Sequence, residues 1–184
     1  MLSRKAKYGL KAMLCLASRD AAMPMLVAQL ACEESIPKKF LEQILLELKH
    51  RGLLQSKKGK GGGYLLARPA GQISMGEVIR ALDGPIAPIP CVSETAYIKC
   101  AECRDERTCG IRMVMKEVRD AMCGILDSTT LAQVVESVGE AAAEMRAELR
   151  AVRSPGQAVA ATAAATRSSA GRPVRLDFPP KRAR

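Results

Sequence analysis

The chain contains no tryptophan, two phenylalanines, three tyrosines and a single histidine, His50. Proteins that hold single strands do so largely by stacking bases on aromatic rings, so this scarcity argues against that mode of binding. One histidine, with no nucleophile–base pair around it, leaves no catalytic constellation, and the chain reads as a non-enzyme. His50 falls at an expected helix end, where a surface role suits it better than ligation. No apolar run approaches the roughly 18 residues of a membrane span. Residues 9–17 come nearest to a signal-peptide core, but Lys11 interrupts them and no small-x-small cleavage pattern follows. An amphipathic helix and a cytoplasmic location are the better expectation, with no membrane partner.

What is present is positive charge and cysteine. The 184 residues carry 29 Lys+Arg against 19 Asp+Glu, a formal net charge of +10, and seven cysteines. Apolar and charged fractions of 48% and 26% are those of a folded protein, and the length suits one domain with an appendage. Divided by segment, the charge is +8 over residues 1–68, −4 over 69–150 and +6 over 151–184. A localised basic head points to a polyanionic partner.

The expected architecture is mainly α with a small β-hairpin. Residues 3–18 read as a helix with Ser3 as N-cap and Leu10, Met13, Leu14 and Ala17 at helical spacing. A short helix fits 26–32. Pro37 opens a third, with Phe40, Leu41, Ile44, Leu45 and Leu48 on one face and His50-Arg51-Gly52 as its stop. Two apolar runs around Lys57-Lys58-Gly59-Lys60-Gly61-Gly62-Gly63 then read as a hairpin. Helix, helix, helix, hairpin is the order of a winged helix-turn-helix. A capping box at Ser74 and Glu77 opens a short helix ending near 82. An irregular, cysteine-bearing stretch runs to 108 and a longer helix covers 109–126. Its Ile111, Val114, Val118, Ala121 and Ile125 form a coiled-coil-like seam. A last helix fits 130–150. These readings divide the chain into a DNA-binding domain over 1–82, a cysteine-rich loop over 83–109, a dimerisation helix and its follower over 110–150, and a basic, Ala-rich disordered tail over 151–184.

Two features carry chemistry. In a helix-turn-helix, the start of the second helix meets base edges in the major groove, here Lys38, Lys39, Glu42 and Gln43. The lysines can reach phosphates or guanine, Gln43 can pair with adenine and Glu42 can accept from cytosine. At the hairpin tip, Lys57, Lys58 and Lys60 beside Gly61 and Gly62 let backbone approach phosphates or enter a minor groove. A phosphate-binding glycine loop is the rival for this segment, but no Gly-Lys-Ser/Thr follows and the next element is a strand. The second feature is Cys91-x8-Cys100-x2-Cys103-x5-Cys109, four thiols within 19 residues. Soft thiolates suit an iron–sulfur cluster or zinc. Ferredoxin spacings do not match, and a zinc ribbon more often shows two Cys-x-x-Cys pairs. Cys15, Cys32 and Cys123 fall in apolar helical patterns and read as unliganded thiols.

The opening Leu2-Ser3-Arg4-Lys5-Ala6-Lys7-Tyr8-Gly9-Leu10-Lys11-Ala12-Met13, the segment Phe40-Leu41-Glu42-Gln43-Ile44-Leu45, the Gly59–Leu66 wing and the cysteine loop together resemble the Rrf-type bacterial transcriptional regulators, a family with IscR-, NsrR- and RirA-like members. The resemblance covers about residues 1–140. It implies a homodimeric winged-helix repressor, sometimes an activator, on a palindromic double-stranded DNA operator. It also implies an iron–sulfur cluster, 2Fe–2S or 4Fe–4S, that senses iron, redox state or nitric oxide. By position, Cys103 and Cys109 carry the family's Cys-x5-Cys pair and Cys91 the upstream ligand. The loop is longer than in familiar members and holds the extra Cys100. Arg112 stands where some members place a ligand histidine, and Lys7 where others place an acidic ligand. Cys100 either completes an all-cysteine set or competes with Cys103 for one position. A structural zinc site in a DNA-binding protein, and an adaptor that does not bind DNA, are the alternatives.

Overall fold

A computed structural model describes residues 2–21, 23–59 and 61–153. Six helices and one hairpin follow in the order α1 (Arg4–Ala17), α2 (Val27–Glu33), α3 (Lys38–His50), β1 (Leu54–Lys57), β2 (Gly63–Leu66), α4 (Met75–Asp83), α5 (Gly110–Ser128) and α6 (Leu131–Arg153). The chain divides into two units at residues 140/141, and of the second the described part is the continuation of α6. That helix runs three residues past the expected end at 150. The tail from 154 onward lies outside the described residues. No helix among the described residues is long and apolar enough to cross a membrane.

The expected caps are in place. The Ser3 hydroxyl accepts the Ala6 N–H at 3.0 Å and the Ser74 hydroxyl accepts the Glu77 N–H at 3.1 Å. Each satisfies a donor that its helix cannot pair internally. Ser3 also donates its backbone N–H to Asp83 at 2.8 Å, which ties the start of α1 to the end of α4.

Ala6, Leu10, Met13 and Leu16 of α1 recur every three or four residues and face inward. They meet the α3 stripe of Leu41, Ile44, Leu45 and Leu48, with Leu30, Ile36, Leu53, Ile73 and Val78 completing the core. The hairpin is antiparallel, with Leu54 opposite Leu66 and Lys57 opposite Gly63.

The core reaches beyond the expected boundary of the head. Leu131, at the start of α6, is wholly buried in it. The Leu131 N–H donates to Ile73 O and the Met75 N–H to Thr129 O, both at 2.9 Å. Arg80 of α4 grips Asp127 of α5 through two contacts of 2.5 and 2.7 Å. The α5–α6 corner is thereby bolted to the head.

Candidate nucleic-acid interface and cysteine site

Helices α2 and α3 end in the same way. Ser35 adopts a left-handed φ of 53° and Gly52 one of 74°. After α2, Ile36 N–H donates to Ala31 O at 3.0 Å and Ser35 N–H to Cys32 O at 3.3 Å. After α3, Leu53 N–H donates to Leu48 O and Gly52 N–H to Lys49 O, both at 3.0 Å. These paired bonds are the Schellman arrangement, and the next residue, Ile36 or Leu53, is buried against the core. The motif turns the chain sharply between α2 and α3 and fixes how α3 is presented.

Burial of the α3 stripe leaves Lys38, Lys39, Glu42 and Gln43 exposed, as expected from spacing. Lys38 Nζ lies 3.9 Å from Glu42 Oε1, with both side chains at least half exposed. A pair so placed is worth little and yields readily to a phosphate or a base. Leu46 shares this face at 46% exposure and was not among the expected contacts. Its place outside the Leu41–Ile44–Leu45–Leu48 stripe was the available signal. An exposed aliphatic group on a major-groove helix can meet a thymine methyl.

On the wing, Lys57, Lys58 and Gly61 are exposed, and Lys60 lies outside the described residues. Gly62 differs from the expectation of an open, DNA-facing residue. It is buried, a Cβ there would meet Lys57 O at 2.4 Å, and its N–H donates to Gly59 O at 2.9 Å. Its role is to close the turn. Gly63 has φ +149°, and a Cβ there would fall 2.3 Å from Met25 O. That close approach serves a two-way backbone pairing of Met25 with Tyr64, each bond 2.9 Å. The wing is therefore anchored to the residues leading into α2, a contact the hairpin pattern did not disclose.

The cysteine loop wraps along one side of α5. Cys91 lies in a 3₁₀ turn, Pro90–Val92, and is buried; Cys100 is exposed; Cys103 and Cys109 are half-buried, Cys109 as the N-cap of α5. The Cys103 N–H donates to Cys100 O at 3.2 Å, and the Cys109 carbonyl accepts the Met113 N–H at 3.1 Å. Desolvation, and then the adjoining Cys109 thiol and nearby Cys100, push the Cys103 thiol upward. Among the described residues, no three of His, Cys, Asp and Glu are gathered into a metal-holding group. The donor chemistry, four soft sulfurs in one loop, is of the kind that suits a thiophilic metal centre. Of the remaining cysteines, Cys15 donates to Glu33 at 3.5 Å, and burial followed by that carboxylate pushes it up to about 11. A thiol held so high is a poor nucleophile and a poor ligand. Cys32 is exposed, contrary to its apolar pattern, and half-buried Cys123 donates to Ile86 O at 3.8 Å.

Charged side chains pin this loop. Arg119 is the one buried residue of α5, pairing with Glu94 at 2.8 Å and Asp120 at 2.5 Å. Arg112 Nε stands 3.7 Å from Glu106, which also accepts a hydrogen bond from the Tyr97 hydroxyl. That bond, followed by desolvation, pushes the Tyr97 phenol upward. Of these residues only Arg112 was singled out from sequence, for the histidine position it occupies; the others read as solvated surface.

A recognition helix with an exposed polar face, a lysine-bearing wing anchored beside it and a core that continues into a long helix define a winged helix-turn-helix DNA-binding protein. The family model for Rrf2, described as iron-dependent transcriptional regulators, matches residues 2–137, and the chain belongs to that family. An Rrf2-like HTH-type transcriptional regulator of Rhodobacter capsulatus is 41% identical over 145 residues, covering 77% of this chain and 97% of the relative. The HTH-type transcriptional regulator IscR of Cronobacter sakazakii is 32% identical over 136 residues, 74% of this chain and 80% of the relative. Among solved structures, CymR, the global cysteine regulator of B. subtilis, superposes with a TM-score of 0.63 at 31% identity, covering 74% of this chain and 97% of that one. The chain is a DNA-binding transcriptional regulator and not an enzyme.

Proposed function

We propose that this regulator, acting as a repressor, binds a palindromic operator as a homodimer, and that an iron–sulfur cluster on Cys91, Cys103, Cys109 and Cys100 sets its affinity. The observation that carries the reading is the placement of the cysteine loop. It lies along α5, the same helix that Arg80 and Asp127 bolt to the recognition head. When bound, such a cluster supplies a thiolate-ligated centre sensitive to iron supply, oxidants and nitric oxide. Cys91 sits on the turn packed against α5, and Cys109 opens the same helix. Tying these cysteines together fixes the loop along the helix, and an untied loop is free to shift.

The dimer part of the reading rests on the exposed side of α5. Ile111, Val114, Val118 and Ile125 are 68, 55, 39 and 67% exposed in the single chain, an apolar seam that a second copy would cover. A two-fold pair would set two recognition helices about 34 Å apart, one DNA turn, and so favour a palindrome. Lys57 and Lys58 then serve phosphates, while Lys39, Glu42 and Gln43 read bases.

Anaerobic purification with iron and sulfide assays and visible absorption tests the cluster. The expected result is a coloured protein with iron and sulfide in comparable amounts. A colourless protein holding stoichiometric zinc would refute it in favour of a structural zinc site. Light scattering tests the dimer, with Val118→Asp expected to yield monomers.

A further inference from the structure

Two buried side-chain nitrogens among the described residues have no hydrogen-bond partner, Arg112 Nε and Arg119 Nε. Both lie on α5, seven residues apart, which places them on one face of the helix. That face packs inward, through half-buried Met115, Met122 and Leu126, whereas the exposed apolar seam lies about a third of a turn away. Both guanidinium groups are held against the cysteine loop by loop carboxylates. Arg119 meets Glu94, three residues after Cys91, and Arg112 meets Glu106, midway between Cys103 and Cys109. Asp120 is the third carboxylate on this wall.

A guanidinium does not lose its proton inside a protein, and a buried donor left unpaired is costly. Arg119 is satisfied at both outer nitrogens and unsatisfied at Nε, whereas Arg112 faces Glu106 through Nε itself, at 3.7 Å and so beyond hydrogen-bond distance. The Arg119 side chain is only 8% exposed, so water does not supply the missing acceptor freely. Four thiolates around an iron–sulfur core leave net negative charge, and N–H donors to sulfur, together with local charge, tune such centres.

We propose that Arg112 and Arg119 form the charge-balancing wall of the cysteine site, with the Arg119 Nε–H as a donor to its anionic sulfur. Glu94 and Glu106 aim the two arginines. The assignment rests on the cluster reading above and adds a role for this chain's own residues.

The test uses the full chain, reconstituted anaerobically with iron and sulfide, and measures iron release to a chelator and the midpoint potential. Arg112→Gln and Arg119→Gln are expected to release iron about 10–100-fold faster, with a more negative potential. Arg119→Lys keeps the charge without the Nε–H and is expected to fall between. Glu94→Gln and Glu106→Gln leave the arginines in place but less well aimed and are expected to release iron at rates between those of the unaltered protein and of the arginine-to-glutamine variants. If Arg119→Gln fails to fold by circular dichroism, Arg112→Gln and Arg119→Lys decide the matter. Glutamine variants that hold iron normally, or Glu94→Gln matching Arg119→Gln, overturn the assignment in favour of a purely structural clamp. An unaltered chain that takes up no cluster overturns both this assignment and the reading beneath it, whereas a cluster indifferent to both arginines overturns this one alone.

Discussion

Replacing Gly63 with alanine puts a methyl group against backbone. The added Cβ would lie 2.3 Å from Met25 O and 2.5 Å from Met25 C, distances no side-chain adjustment relieves. The chain must break the two-way Met25–Tyr64 pairing, and each backbone hydrogen bond contributes about 1 kcal/mol net. Holding a non-glycine residue at the φ of +149° adds about 1–3 kcal/mol. Together these give a loss of about 3–5 kcal/mol, equivalent to a fall in Tm of roughly 10 °C for a chain of this size. Gly61 is the internal control. Its φ is +79°, but a Cβ there meets nothing within 4 Å, so Gly61→Ala should cost only the backbone term, about 1 kcal/mol. Thermal unfolding followed by circular dichroism measures both. Equal losses for the two variants, or a Gly63→Ala protein as stable as the original, would refute the anchoring of the wing.

Lys58→Ala should weaken binding to operator and random duplex alike and reduce the slope of log affinity against log salt by about 0.9, whereas Gln43→Ala should cost about 1–3 kcal/mol on the operator alone. Competition binding at several salt concentrations separates the two, and the reverse pattern would mean that wing and helix have been misplaced. Ser35→Gly relieves a left-handed φ and should stabilise the protein by about 1 kcal/mol in a urea titration; a loss would mean that the hydroxyl has a role the turn geometry does not reveal. Asp127 is held below the usual carboxylate range, first by its hydrogen bonds from Arg80. Its contribution is therefore present above about pH 4 and is lost as pH falls through its lowered pKa. Both partners are more than a third exposed, so Asp127→Asn should cost about 1 kcal/mol or less at pH 7 and nothing at pH 2. Urea midpoints at the two pH values check this, and a difference that persists at pH 2 would count against the ion pair.

Much of the head was legible in the sequence because local rules act there without competition. Ser3 and Ser74 cap the helices they precede, Gly52 supplies the left-handed residue that ends α3, and the Leu41–Ile44–Leu45–Leu48 stripe tells which side of that helix is free. What escaped depends on partners distant in the chain. Met25 pairs with Tyr64 through backbone alone, so no side-chain pattern announces it. Gly62 reads like its neighbours, yet a carbonyl fills the space beside it. Arg119 looks like a solvent-facing charge until Glu94 covers it, and the 83–109 loop has no periodicity from which to draw its path. The four cysteines were visible as residues with the right chemistry. Their separation between a buried turn, an exposed bend and a helix start was not.

The central claim is that the cysteine loop governs the hold on DNA. Its most direct measurement is operator affinity of the same anaerobic preparation before and after iron is removed by a chelator, at fixed physiological salt. Coupling typical of allosteric proteins predicts a change of about 5–150-fold, with affinity for random DNA unmoved and the effect abolished in Cys103→Ala. Equal operator affinity with and without iron would contradict the account.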